Sequence, residues 1–157
     1  MRIEFAKLDE MFKRSGVDKF QLHQALRLMG PENLKSKRMR DMWSEAWPTT
    51  NYCYVVCEFV YWYVFKLHRQ YWNICTLRVR STPGIVHWFL RNKLDNSIVD
   101  LTADQFVNYK NDIHYEEAKN SFFLQSGCKG PSKRARILAK LMGYSEEDYV
   151  HEYTTLI

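Results

Sequence analysis

The sequence has 157 residues, 46% of them hydrophobic and 26% charged, enough chain for one domain that buries about 70% of its unfolded surface. Gly (6) and Pro (4) are scarce while aromatics reach 15%, which excludes a disordered or collagen-like chain. The net charge of +5 permits an acidic partner, but the 23 basic residues are interspersed with 18 acidic ones rather than gathered into a tail.

In chain order, three apolar stripes at helical spacing come first: Phe5, Leu8, Met11 and Phe12; then Phe20, Leu22, Ala25, Leu26 and Met29; then Leu34, Met39, Met42, Trp43 and Ala46. Gly16 and the pair Gly30-Pro31 punctuate them. The opening MRIEFAKLDEMFKR carries acidic residues in its first turns and does not resemble a secretory signal, so a cytoplasmic protein is expected. A loop follows at Trp47-Pro48-Thr49-Thr50-Asn51. The segment from Cys53 to Leu67 is read as a helix on its length, although its Val, Tyr and Phe content favours strand. The apolar run Tyr52 to Phe65 contains Glu58 and falls short of the roughly 20 residues a membrane span needs.

Alternation then predicts strands at Ile74–Arg80, Ile85–Leu90 and Ile98–Leu101. Pro83-Gly84 is the first turn, and Asn92 to Asp95 form a four-residue hairpin loop. The polar stretch Asn108 to Lys119 reads as a surface excursion with a short helix. Pro131-Ser132 opens an amphipathic helix with Ile137, Leu138, Leu141 and Met142 inward and Gly143 as its stop. Ser145-Glu-Glu-Asp148 predicts a last short helix. The expected architecture is one α+β domain over residues 1–157. It has a helical N-terminal part (1–47), a core of central helix packed on a small antiparallel sheet (48–107), and C-terminal helices (108–157).

Cys53, His87 and Asp100 are the residues with chemistry in them. A thiol at a helix N-terminus feels the positive end of the backbone dipole. The hairpin loop is expected to set His87 directly opposite Asp100 on one face of the sheet, where the carboxylate orients the imidazole. That is the arrangement for a cysteine nucleophile, a histidine base and acid, and an orienting aspartate. Gln105, Asn51 or a backbone N–H near Cys53 are the candidates for oxyanion or supporting roles. Cys57, one helical turn on, is the alternative nucleophile. The chemistry requires no metal and no organic cofactor.

The segments Trp47-Pro-Thr-Thr-Asn-Tyr-Cys53-Tyr-Val-Val-Cys-Glu58, His87-Trp-Phe-Leu, Asp100-Leu-Thr-Ala-Asp-Gln-Phe106 and Pro131-Ser-Lys-Arg-Ala135 resemble the motif series of a family of short tailed-phage proteins. More remotely, they are similar to the bacterial YunG-like proteins. The order and spacing look like the papain-like and transglutaminase-like cysteine enzymes, most strongly in the hairpin ending in Asp-Leu-Thr. The resemblance covers roughly residues 43 to 142. It implies a papain-like or transglutaminase-like core with extra N- and C-terminal helices. It also implies a phage-encoded cysteine hydrolase or acyltransferase in the host cytoplasm, acting on a protein or peptide-like substrate such as a host protein. The chain departs from that pattern at Asn51-Tyr52, where Gly-His or Gly-Gln is expected, and at Cys57, where a small residue is usual.

Other readings of the same residues stand beside this one. A cysteine on a helix's packing side and a histidine in a strand are also ordinary core residues. Cys53, Cys57, Cys75 and Cys128 offer soft metal ligands, but their spacing is unlike that of structural zinc knuckles, and they are expected as free thiols. Lys66, Arg69, Arg78, Arg80, Arg91 and Lys93 alternate with Tyr61, Tyr63, Tyr71, Trp72 and Trp88 between Glu58 and Asp95 without an acidic residue, a pattern that suits nucleic acid. With the basic runs at 35–40 and 133–136, it supports an alternative class: a non-catalytic phage accessory protein that binds a host protein or nucleic acid and counters host defence.

Overall fold

The N-terminal helices follow from apolar spacing and capping. The computed structural model describes residues 5–80, 84–106, 113–124 and 130–149. Cys128, Pro83, residues 108–112 and residues 150–157 lie outside the described residues, as does the side chain of Phe5. Helix α1 (Phe5–Ser15) buries Leu8, Met11 and Phe12. Helix α2 (Lys19–Met29) is opened by Asp18, whose carboxylate accepts the Gln21 N–H at 2.7 Å, and buries Leu22, Ala25, Leu26 and Met29. Phe20, expected inward, is 70% exposed. It lies about 200° around the helix from Leu22, off the stripe that packs. Gly30 ends α2 at φ 62, an angle that strains a residue with a Cβ, and Pro31 then starts a short 3-10 turn (Pro31–Asn33).

Helix α3 (Lys37–Met42) is capped by Ser36 and buries none of its residues. Met39 and Ala46, expected inward, are exposed, whereas Leu34 is buried. Six residues are too few to carry a full stripe, and the Trp43 indole instead donates to the Pro48 carbonyl at 3.0 Å.

Helix α4 (Cys53–Phe59) begins where expected but does not continue as an α-helix to Leu67. The Phe65 N–H bonds the Val60 carbonyl five residues back, making Val60–Val64 a π turn, and a 3-10 turn (Lys66–Tyr71) leads into the sheet. The run Val60-Tyr61-Trp62-Tyr63-Val64 is crowded in an ordinary α turn, and the wider turn buries Val60, Trp62 and Tyr63.

Strands β1 (Trp72–Arg78), β2 (Val86–Asn92), β3 (Ile98–Val99) and β4 (Lys119–Asn120) form an antiparallel sheet in the order β3-β2-β1-β4. The first two lie one to two residues from their expected bounds, and the third ends two residues early. Strand β4, not expected, begins at the end of the stretch read as a surface excursion with a short helix; a 3-10 turn (Tyr115–Glu117) precedes it and its two residues pair with β1. Trp88, Leu90 and Val99 join the main core with α4 and the N-terminal helices. Cys75, Leu77 and Phe89 form a second core with Phe106 and Ile113.

Helix α5 (Lys133–Leu141), capped by Ser132, buries Ala135, Leu138 and Ala139, with Met142 just beyond. Leu141, expected inward, is 39% exposed on the flank of that stripe. The predicted last helix is a turn through Asp148, in which the Asp148 carboxylate accepts the Ser145 N–H at 3.0 Å. Glu58 is fully buried and ties α4 to α5 by accepting the Ser132 N–H at 2.6 Å. The fold is a mixed helix and antiparallel-sheet arrangement of the α+β kind. No helix among the described residues is long and apolar enough to cross a membrane.

Candidate active site

The loop before Cys53 is held from three directions. Tyr52 is buried and its hydroxyl donates to the Gly30 carbonyl at 2.5 Å, fixing the start of α4 against the end of α2. Thr49 donates to the Asp104 carboxylate at 2.7 Å. Asn51 adopts φ 64, with its N–H bonded to Gln105 Oε1 at 3.1 Å and its side-chain amide to the Met39 carbonyl at 3.1 Å. Gln105 Nε2 in turn donates to the Thr102 carbonyl at 3.0 Å. Gln105 therefore staples the loop that launches Cys53 to the segment that follows Asp100. Asn51 supplies the left-handed residue that turns the chain into α4, a conformation asparagine tolerates better than most.

His87 and Asp100 meet, but not across one rung. The ladder pairs Leu90 with Val99 and Arg91 with Ile98, two residues out of the expected register, so Phe89 rather than His87 is level with Asp100. The hairpin loop is Lys93 to Asn96, closed by the Asn92 N–H on the Ser97 carbonyl and turned by Asn96 at φ 62. A shift of two preserves the face because side chains alternate with period two. His87 Nε2 lies 2.6 Å from Asp100 Oδ2, with both residues buried.

Cys53 completes the group. Its sulfur lies 3.9 Å from the carbonyl oxygen of Val86, the residue preceding His87, close enough to influence the His87 ring electrostatically. With Nε2 committed to Asp100, the nitrogen left for the thiol is Nδ1, which has no hydrogen-bond partner among the described residues. Burial pulls the His87 pKa down, but the Asp100 charge and hydrogen bond, with a contribution from Cys53, outweigh it and push the ring up to about 10. Cys53 is 9% exposed and opens into a cavity of about 230 Å³, which Gln105 and Asn51 also line. The nucleophile candidate, largely buried, thus reaches the wall of the cavity, while its partner histidine is fully buried.

Cys57 is placed differently. It is buried one turn deeper, and desolvation first, then the neighbouring Cys53 and Asp100, raise its thiol pKa well above the ordinary value. Cys53, Cys57 and Cys75 are free thiols. Among the described residues no group of three or more metal-ligating side chains converges.

The aromatic residues named for base stacking are largely structural. Tyr63, Trp72 and Trp88 are buried, and Trp72 stacks on Phe65. Arg69 lies over the Trp62 ring, Arg91 bonds the Tyr115 carbonyl, and Arg80 pairs with Glu117.

Three participants lay outside the sequence reading. Tyr115 donates to Asp100 Oδ2 at 2.8 Å and packs its ring on Phe89; the only local signal is the Ile113, Tyr115 spacing in an otherwise polar stretch. Phe106 sets its ring edge-to-face against His87 at 4.7 Å. Asp104 joins the Thr49 bond to a close approach of His23 Nε2 at 3.4 Å, a meeting across 81 residues that no local pattern announces. Comparison of the chain with protein-family models, curated proteins and solved structures found no match.

Proposed function

We propose that the protein is a cysteine-dependent hydrolase or acyltransferase acting on an amide or ester carbonyl, with Cys53 as nucleophile, His87 as general base and acid, and Asp100 as orienter. The observation that carries this reading is the buried His87, bonded to Asp100 at 2.6 Å, with Cys53 near its ring and itself lining an open cavity. A strand histidine serving only the core does not need a carboxylate on one nitrogen and a cavity-facing thiol beside the other. The helix-borne cysteine, the strand-borne histidine and the aspartate just past the end of β3, in that chain order, further support a papain-like or transglutaminase-like scaffold. The motif resemblance supports a tailed-phage origin and action in the host cytoplasm.

In the proposed reaction the thiol proton resides on His87 as Cys53 Sγ adds to the carbonyl carbon. The tetrahedral species collapses, the bond to nitrogen or oxygen breaks, and His87 protonates the departing amine or alcohol. Water then attacks the thioester in hydrolysis or deamidation, or a second nucleophile does so in transfer. His87 takes up the attacking group's proton and returns it to the thiolate as Cys53 leaves. The second N–H of the Gln105 amide and the Cys53 backbone N–H are the donors available for the oxyanion.

Iodoacetamide labelling against pH, read by intact mass, tests the assignment. Cys53 should react faster than a free thiol at neutral pH, and His87→Ala should abolish that excess. An ordinary rate at Cys53, or a rate indifferent to His87→Ala, overturns it. The exposed basic face of α3, with Arg38 and Lys37 on it, favours the second reading of a non-catalytic accessory protein docking on a host protein or nucleic acid. That reading predicts that Cys53→Ala retains the biological effect, whereas the enzyme reading predicts its loss.

A further inference from the structure

The cavity over Cys53 has a charge character that the proposed catalytic group does not explain. Lys35, from the segment before α3, and Arg134, from the first turn of α5, both line it, and among the described residues none that lines it is acidic. Lys35 is exposed, and the Arg134 guanidinium is held to the Asn33 carbonyl at 3.4 Å. Arg134 also acts electrostatically on Glu58, which is fully buried outside the cavity lining and spends one oxygen on the Ser132 N–H. Between the two cations the walls are apolar and aromatic: Tyr54 and Trp88 meet edge-to-face at 4.8 Å. Two cations from separate segments line the same cavity of about 230 Å³ as the nucleophile, large enough for one side chain beside the reacting carbonyl.

We propose that Lys35 and Arg134 form an anion-reading subsite, so that the substrate is an acidic peptide whose carboxylate side chain lies next to the carbonyl attacked by Cys53. The inference rests on Cys53 being the nucleophile. Charge complementarity selects this occupant, because a neutral or basic neighbour would place no counter-charge in the cavity that the two cations line. The apolar walls strengthen the attraction by displacing water from around the pair.

The test uses two alkylating probes of equal size, bromoacetyl-glutamic acid amide and bromoacetyl-glutamine amide. In each, the Cys53 thiolate displaces bromide to form a thioether, so the two reactions differ only in probe charge. The ratio of their rates at Cys53, taken within each variant, cancels losses common to both probes. The expected ratio at low salt is about fivefold or more, the size of one contact between unit charges in a water-like dielectric. It should fall toward one at about 0.5 M salt, where screening is strong, and in Lys35→Gln and Arg134→Gln. The salt arm needs no variant, so it holds even if Arg134→Gln folds poorly.

A ratio near one in the wild type, with both probes reacting faster than glutathione, overturns the subsite and leaves the nucleophile standing. A high ratio unchanged in both variants also overturns it and assigns the preference to His87. If neither probe outpaces glutathione, the nucleophile assignment fails and the subsite with it.

Discussion

His87 and Asp100 are joined on a diagonal: Asp100 is level with Phe89, and its carboxylate reaches one step along the sheet to His87 Nε2 at 2.6 Å. The pair sits at the end of β3, where the ladder stops and the chain is free to bend toward the ring. Burial disfavours the charged ring, and Asp100 more than restores it, leaving a pKa of about 10 against an ordinary 6.5. Because the folded value is the higher one, the native state binds the proton more tightly. The stabilisation is complete below about pH 6.5 and is lost as pH rises through about 10. The thermal midpoint should fall across that window, and Asp100→Asn should flatten the fall. A wild-type profile that is level from pH 6.5 to 10 contradicts the pair.

Tyr115→Phe removes one hydroxyl and keeps the ring that packs on Phe89 at 5.0 Å. The lost bond goes to a buried carboxylate, so a destabilisation of about 1.5–3 kcal/mol is expected in urea unfolding. Because Tyr115 acts through Asp100, the variant should also displace the pH profile of Cys53 labelling, which a purely structural tyrosine would leave in place.

Gln105→Leu leaves the Asn51 N–H without its partner and frees the loop before Cys53. The expected cost is about 1–3 kcal/mol, with slower Cys53 labelling. At Asn51 the φ of 64 makes Asn51→Gly nearly neutral, while Asn51→Val should cost about 1–2 kcal/mol or more, since a β-branched residue resists that region. Equal stability of the Gly and Val variants would show that the turn relaxes.

Cys57 should resist alkylation in the native protein and become labelled only when the chain is unfolded. Its burial holds the thiol protonated and out of reach. Peptide mapping after brief labelling should find the adduct on Cys53 in the wild type and in Cys57→Ala alike. A native adduct on Cys57 would reverse the choice of nucleophile.

Glu58→Gln preserves the acceptor for the Ser132 N–H, whereas Glu58→Ala removes it. Burial raises the Glu58 pKa despite the Ser132 bonds, so ionisation costs stability as pH climbs above the unfolded value. At pH 7 Glu58→Gln should unfold at or above the wild-type temperature, and Glu58→Ala below it. Calorimetry of the three proteins checks the order.

Short-range rules made much of this molecule legible in its residues. Ser132 caps the helix it precedes, the stripes of α1, α2 and α5 bury most of their apolar positions, and Cys53 is the first residue of α4. Each of these depends on neighbours within a turn or two, where period and capping chemistry are decisive. The shared face of His87 and Asp100 was readable for the same reason, since alternation depends only on parity. Their register was not: loops of Asn92 to Asp95 and of Lys93 to Asn96 are equally long and similarly polar. The selection came from the Asn92–Ser97 closure, Asn96 at φ 62 and the packing of Leu90 and Val99 in the core. Tertiary structure also decided which stripe members stay outside, as with Phe20 and Leu141, because a helix buries only the arc that meets a neighbour. It alone brought Tyr115 to Asp100, Gln105 to Asn51 and Arg134 to the cavity over Cys53. Those meetings join segments 15 to 81 residues apart, set by how whole elements pack, and no local pattern of residues records them.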